Sequence, residues 1–262
     1  MPRHPGFKLG RQKRDHDPRF PHMSALMAGR RPTVMPTPVN WSQLMPPDLG
    51  MMLNDQLGDC TCAAVYHLIQ LWSFVVTGKM LTEPDAMVEK AYELIDGYVP
   101  GDPSTDQGGI MQHVMRYWLK TGVPMDDGVN KALAVVEVDP QNDIDVTTAI
   151  VDCAAVNIGF NVPAFLMPDN GDPPPMVWDV QPGADDTIIG GHDVIAPGFD
   201  AHARLNIISW GVRAYTMTKA FRDKYVTEAY AIANPQWINA KGTTPGGLSV
   251  VQLEHQMQAL RS

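Results

Sequence analysis

Two side chains capable of nucleophilic chemistry stand 132 positions apart in this 262-residue chain, Cys60 and His192. Cys60 follows the polar run Asn54 to Asp59 and opens a segment in which Ala64, Leu68, Leu71 and Val75 recur at spacings of three and four. That periodicity predicts a helix, and Asp59 directly before it is a good N-cap. A thiol at a helix start lies among unpaired N–H groups at the positive end of the dipole, so it should ionise more easily than a free one. With an imidazole to take its proton, such a cysteine suits attack on an amide carbonyl. His67, on the same helix face, reads as packed core, and His113 and Trp118 read as a packed face of a later helix.

The residues around this pair carry a resemblance. The run QLGDCTCAA (56 to 64) resembles the segment of papain-like cysteine peptidases in which a Gly and a small residue precede the nucleophile of the central helix. GGHDVIAPGFD (190 to 200) resembles the family's His segment, and IISWG (207 to 211) its Asn-Ser-Trp-Gly strand. TDQGGIMQHVMRYWLKTGV (105 to 123) is similar to a helix that bacterial and phage members carry after the nucleophile helix. The matches fall in family order across roughly 38 to 235, and the Cys-to-His spacing suits the family. The resemblance, closest to the bacteriophage and actinobacterial peptidase-like branch, implies an α+β, two-lobed fold. A helical lobe (about 54 to 128) and a β-rich lobe (about 129 to 238) would flank the cleft. It also implies Cys60 as nucleophile, His192 as base, and an oxyanion donor at the position six before the cysteine, which here is Asn54.

The chain departs from the pattern at the imidazole's third partner, where the family's Asn is replaced by Ile208. Asn206 shares a strand face with Ile208 and would substitute if a bulge shifted the strand, while Ser209 and Trp210 are supporting candidates, Trp210 as a shield against water. A competing register makes Cys62 the nucleophile, six residues after Gln56. Two residues along a helix rotate by about 200°, so only one of the cysteines can face His192. Two functions stay open: a thiol hydrolase of peptides or other amides, and a catalytically silent papain-like scaffold built into a larger assembly such as a bacteriophage virion.

Composition bounds the rest. With 44% hydrophobic and 19% charged residues, the chain can bury one large core. Three cysteines cannot all pair, which favours a reducing compartment and synthesis in the cytoplasm, with the virion as destination under the scaffold reading. No metal-ligand spacing or phosphate-cradling loop is present, so neither a metal nor a cofactor is expected. No run of about 18 apolar residues is read, so no membrane span is expected. Residues 1 to 31 hold eight Lys or Arg against two Asp, so this stretch carries +6 and the remainder −15 of the net −9. A basic arm (1 to 53), with no secretory apolar region and no feature marking it as removable, should dock on an acidic face of its own body, on a protein partner or on nucleic acid.

Further helices are expected at about 82 to 95, 109 to 120 (closed by Gly122) and 145 to 155, with strands at 129 to 138 and 156 to 162. A long loop spans 167 to 186, and a hairpin turning at 200 to 202 carries His192 near a strand start. After a helix and strand ending near 238, the segment 239 to 262 reads as a Gly linker and an amphipathic helix. Ser249 and Gln252 would cap that helix, and Leu253, Met257 and Leu260 would dock it on a neighbour in an oligomer.

Overall fold

The structure, a computed structural model, describes residues 6–27, 32–167, 172–238 and 242–244, together with Ser249, Val251 and His255. The described residues form helices α1 (Met23–Leu26), α2 (Cys60–Thr77), α3 (Asp85–Asp96), α4 (Met111–Lys120), α5 (Asp143–Cys153) and α6 (Lys219–Tyr225). The strands are β1 (Val39–Asn40), β2 (Val123–Met125), β3 (Gly128–Asn130), β4 (Ala134–Glu137), β5 (Val156–Pro163), β6 (Val177–Trp178), β7 (Ile188–Phe199), β8 (Leu205–Ser209), β9 (Val212–Met217) and β10 (Val226–Ala233).

An 8-stranded sheet runs β4-β10-β5-β7-β8-β9-β6, with β1 added on β7. Its pairings are antiparallel except β6 on β9. Helix α2 lies under β7, buried from Cys60 to Ser73, and ends at Gly78 in the left-handed region with φ 73°. By length and composition α2 could cross a membrane, which corrects the reading that no apolar run of that size exists. Its burial on all sides here makes it the core helix, and hydrophobicity all round is what such a position selects.

Local chemistry explains where the elements differ from expectation. Residues 129 to 138 do not form one strand: β3 folds back on β2 and β4 joins β10. The break falls at residues 131 to 133, just after Asn130, which ends β3 opposite Val123 and whose Oδ1 accepts from Trp118 Nε1 (3.0 Å) and Asn234 Nδ2 (2.9 Å). Helix α5 starts earlier than expected because the Asn142 carboxamide oxygen accepts from the N–H groups of Ile144 and Asp145. The long loop before His192 contains β6, pinned by Trp178, which is fully buried against Phe160 and Tyr215.

The basic arm docks on its own body. Phe20, Met23 and Met27 are buried, Arg14 pairs with Glu137 (2.6 Å), and Asp17 is held between Arg19 (2.8 Å) and Arg116 (2.6 Å). Trp41, next to β1, donates its Nε1–H to Ile150 O and packs edge-on against Trp237. The expected C-terminal helix lies outside the described residues, beyond the bridge from Thr243 to Ser249.

Candidate active site at the start of the central helix

Cys60 opens α2, and its helix begins without a side-chain cap. Asp59 contributes its backbone oxygen, which accepts from Cys62 and Ala63, while its fully buried carboxyl turns to Asn54 instead. The expected Asp59 side-chain cap is therefore absent, and burial drives that carboxyl well above its usual range.

Cys60 and His192 line one cavity with Met51, Asn54, Ile208 and Trp210. The free volume is about 10 Å³, room for about one water molecule and none for a peptide. His192 sits in the middle of β7, not at its start, because the strand extends back to Ile188. Its ring is stacked on Trp210 at 4.2 Å and 11°, with Phe160 edge-on. Nε2 lies 2.8 Å from Ser209 Oγ, and Nδ1 has no hydrogen-bond partner among the described residues.

The remaining candidates divide. Ser209 is the imidazole's partner, whereas Asn206 pairs with Gly198, further along β7, and does not reach it. The bulge invoked for Asn206 exists, but it lies between Ile195 and Gly198 on the far side from His192. Ile208 lines the cavity as an apolar wall. Asn54 also lines it, yet its amide donates to Leu57 O (3.2 Å) and Asp59 Oδ1 (3.3 Å), so both donors are engaged away from an oxyanion. Cys62 is off the cavity, with Sγ 3.9 Å from Asp96 Oδ2, and Gln56 is exposed. His67 reaches the cavity wall with Nδ1 held by Gln70 Oε1 at 2.9 Å.

What no sequence pattern announced is the occupant of the groove. Residues 8 to 12 of the arm cross the site as extended chain, held by backbone. Lys8 N–H donates to Asn54 O (2.9 Å), Arg11 N–H to Gly191 O (3.0 Å), and Gln12 N–H to Gly109 O (2.8 Å). Gly109 N–H donates to Gly10 O (2.8 Å), and Trp210 Nε1–H to Lys8 O (3.3 Å). At the centre, Gly10 approaches so closely that a Cβ there would stand 1.7 Å from Gly58 O. Asp106 and Tyr92 tie the Gly58 turn to Gly108: the carboxylate accepts from Gly58 N–H and the Tyr92 hydroxyl, whose oxygen accepts from Gly108 N–H. The signal present in the sequence was glycine pairs on both rims, 108–109 and 190–191, where backbone must approach backbone.

The arm also reverses the electrostatic expectation. Burial, aided by the Asp193 and Asp59 carboxyls, pushes the Cys60 thiol up despite its place at a helix start. Burial and the Arg11 charge lower His192 to about 3. With the arm seated, thiol and imidazole are both neutral at pH 7, because desolvation outweighs a helix dipole contribution of about 1 kcal/mol. No group of metal-binding side chains occurs among the described residues.

Comparison with known proteins agrees with this architecture. No protein-family profile matches the sequence, and no curated protein is similar to it. Among solved structures, the chain is similar to xylellain, a cysteine protease from Xylella fastidiosa, with TM-score 0.67 and 16% identity over 89% of this chain and 98% of that one. It is similar to procathepsin L 3 of Tenebrio molitor larval midgut (TM-score 0.57, 11% identity, 88% and 77% covered). Procathepsin B S9 from Trypanosoma congolense aligns comparably (TM-score 0.57, 12% identity, 87% and 86% covered). The chain has the α+β papain-like cysteine protease fold.

Proposed function

We propose that the chain is a papain-like thiol hydrolase of peptide amides whose groove is filled by its own arm. The observation that carries this reading is the meeting of Cys60, at the first position of α2, with an imidazole whose Nδ1 is unpartnered, on one cavity. Once the arm leaves, Cys60 Sγ bonds to the substrate carbonyl carbon while its proton passes to Nδ1. The oxyanion forms at the helix start, against the Cys60 N–H. Collapse breaks the C–N bond, His192 returns the proton to the leaving amine, and water hydrolyses the thioester by the same route. Ser209 replaces the expected carboxamide partner: its oxygen accepts from Nε2–H and so keeps the lone pair at Nδ1. Trp210 holds the ring plane.

A second reading, a silent scaffold in an assembly such as a phage particle, is favoured by one observation, the engagement of both Asn54 donors away from the cavity. The test is a chain opened by Gly10→Val, incubated with a denatured protein mixture whose cleavage sites are mapped by mass spectrometry. The hydrolase reading expects cleavage that is lost in Cys60→Ala and in His192→Ala, and reduced about tenfold in Ser209→Ala. An opened, folded chain that cleaves nothing would leave the scaffold.

A further inference from the structure

Beside the cysteine, the groove contains a side-chain pocket that the arm fills with Arg11. Its guanidinium donates from Nη1 to Glu228 Oε1 at 2.6 Å and from Nη2 to Asn161 Oδ1 at 2.9 Å. The side chains of Arg11 and Glu228 are 3% and 0% exposed. The other Glu228 oxygen, Oε2, accepts from the Tyr230 hydroxyl at 2.9 Å. Room for the arginine stem comes from Gly159, where a Cβ would meet Arg11 Cδ and Glu228 Cγ at 2.8 Å each and Met111 Sδ at 2.4 Å. Arg11 is not part of the scaffold that forms the pocket: β5 and β10 supply the walls, and the arginine arrives from 217 residues away on a segment otherwise held near the cysteine by backbone. When that segment leaves, Glu228 stays behind as a buried carboxylate in need of a cation.

We infer that Glu228 and Asn161 make the groove selective for an extended peptide carrying an arginine side chain, Arg11 being the resident copy of that feature. The inference rests on reading the groove as a peptide-binding cleft. Arginine is chosen over lysine because two terminal nitrogens reach two acceptors on different strands, which a single ammonium cannot do. Norleucine would leave Glu228 unpaired, and a glutamate would set two carboxylates together.

The test reads binding, not turnover. A full-length chain carrying Gly10→Val, Arg11→Ala and Cys60→Ala has an empty groove and no nucleophile. It is titrated calorimetrically with the synthetic peptide FKLGRQK, the sequence of residues 7 to 13, and with versions in which the arginine is lysine or norleucine. The expected result is binding at least about 30-fold weaker for norleucine and intermediate for lysine, with all three within about threefold once Glu228→Gln is added. Equal binding of the three peptides, no binding of any, or a preference that survives Glu228→Gln would overturn the pocket. Should the triple variant not fold, Arg11→Ala alone gives the answer: ethylguanidinium should raise its melting temperature and ethylammonium should not, and equal effects refute the proposal. A pocket that passes in a chain that cleaves nothing would sink the hydrolase reading alone, and unselective cleavage would sink the pocket alone.

Discussion

The two halves of the docked arm are held by different physics. Residues 8 to 12 are gripped through the backbone, between glycines, so little of the grip there depends on which side chains the arm carries. Residues 14 to 27 are held mainly by side chains, Arg14 on Glu137, Asp17 on Arg116, and buried Phe20 and Met23, with one backbone bridge where Glu137 N–H donates to Pro21 O. Arg11 is the exception within the first half, a side-chain anchor inside a backbone-read segment. Closure over the cysteine and attachment to the body are therefore separable, and each can be broken without the other.

The largest effect should come from that exception. Arg11→Met strands Glu228 in a pocket with no exposure and should destabilise the chain by about 3–5 kcal/mol in urea unfolding. A loss below about 1 kcal/mol would mean that the pair is not anchoring the arm. Next in size is a pH effect seated under the backbone-held half. His192 is lowered to about 3 by burial and by Arg11, so on acidification below about 6.5 the unfolded chain takes up a proton that the folded chain refuses. Stability contributed by neutral His192 is full above about 6.5 and lost as pH falls toward about 3. Between pH 6 and 4, His192→Gln should flatten the slope of unfolding free energy against pH by about 1.4 kcal/mol per unit. An unchanged slope would show an imidazole that is already solvated.

Gly10→Val comes third. It places side-chain atoms where Gly58 O already stands, so the backbone-held half must lift while Phe20 and Met23 keep the second half seated. Losing two or more hydrogen bonds worth about 1 kcal/mol each predicts an iodoacetamide reaction at Cys60 faster by roughly 30-fold or more, with Cys62 and Cys153 unchanged. An equal gain at all three thiols would indicate global loosening. The smallest effect is expected at Arg19→Ala. Its partner Asp17 retains Arg116, and Arg19 is half exposed, so the loss should stay below about 1 kcal/mol.

This division also explains what could be read from the sequence. Helix α2 and the strand bearing His192 announce themselves by periodicity and by glycine and tryptophan neighbours, so Cys60, His192 and Trp210 could be named before any coordinates. The path of residues 8 to 12 could not, because a segment that binds through its backbone needs no pattern of side chains. Its trace was the absence of Cβ atoms at positions 10, 108 and 191. Ser209 over Asn206 was undecidable for another reason: it depends on the register of β8 against β7, and strand register is set by pairing that one strand's residues do not encode. The raised Cys60 thiol was missed with the arm, since the helix start alone argues the other way.

The Arg11–Glu228 contact joins residues 217 apart and so has a consequence for the order of events during synthesis. Arg11 is made before every strand of the sheet, and the strand that receives it is the last of the described sheet in chain order. The arm emerges before the strands and can close only after β5, β7 and β10 have come together. Until then the nascent chain exposes its basic stretch while Cys60 has no cover, so any chemistry this thiol is capable of is least guarded before β10 is in place.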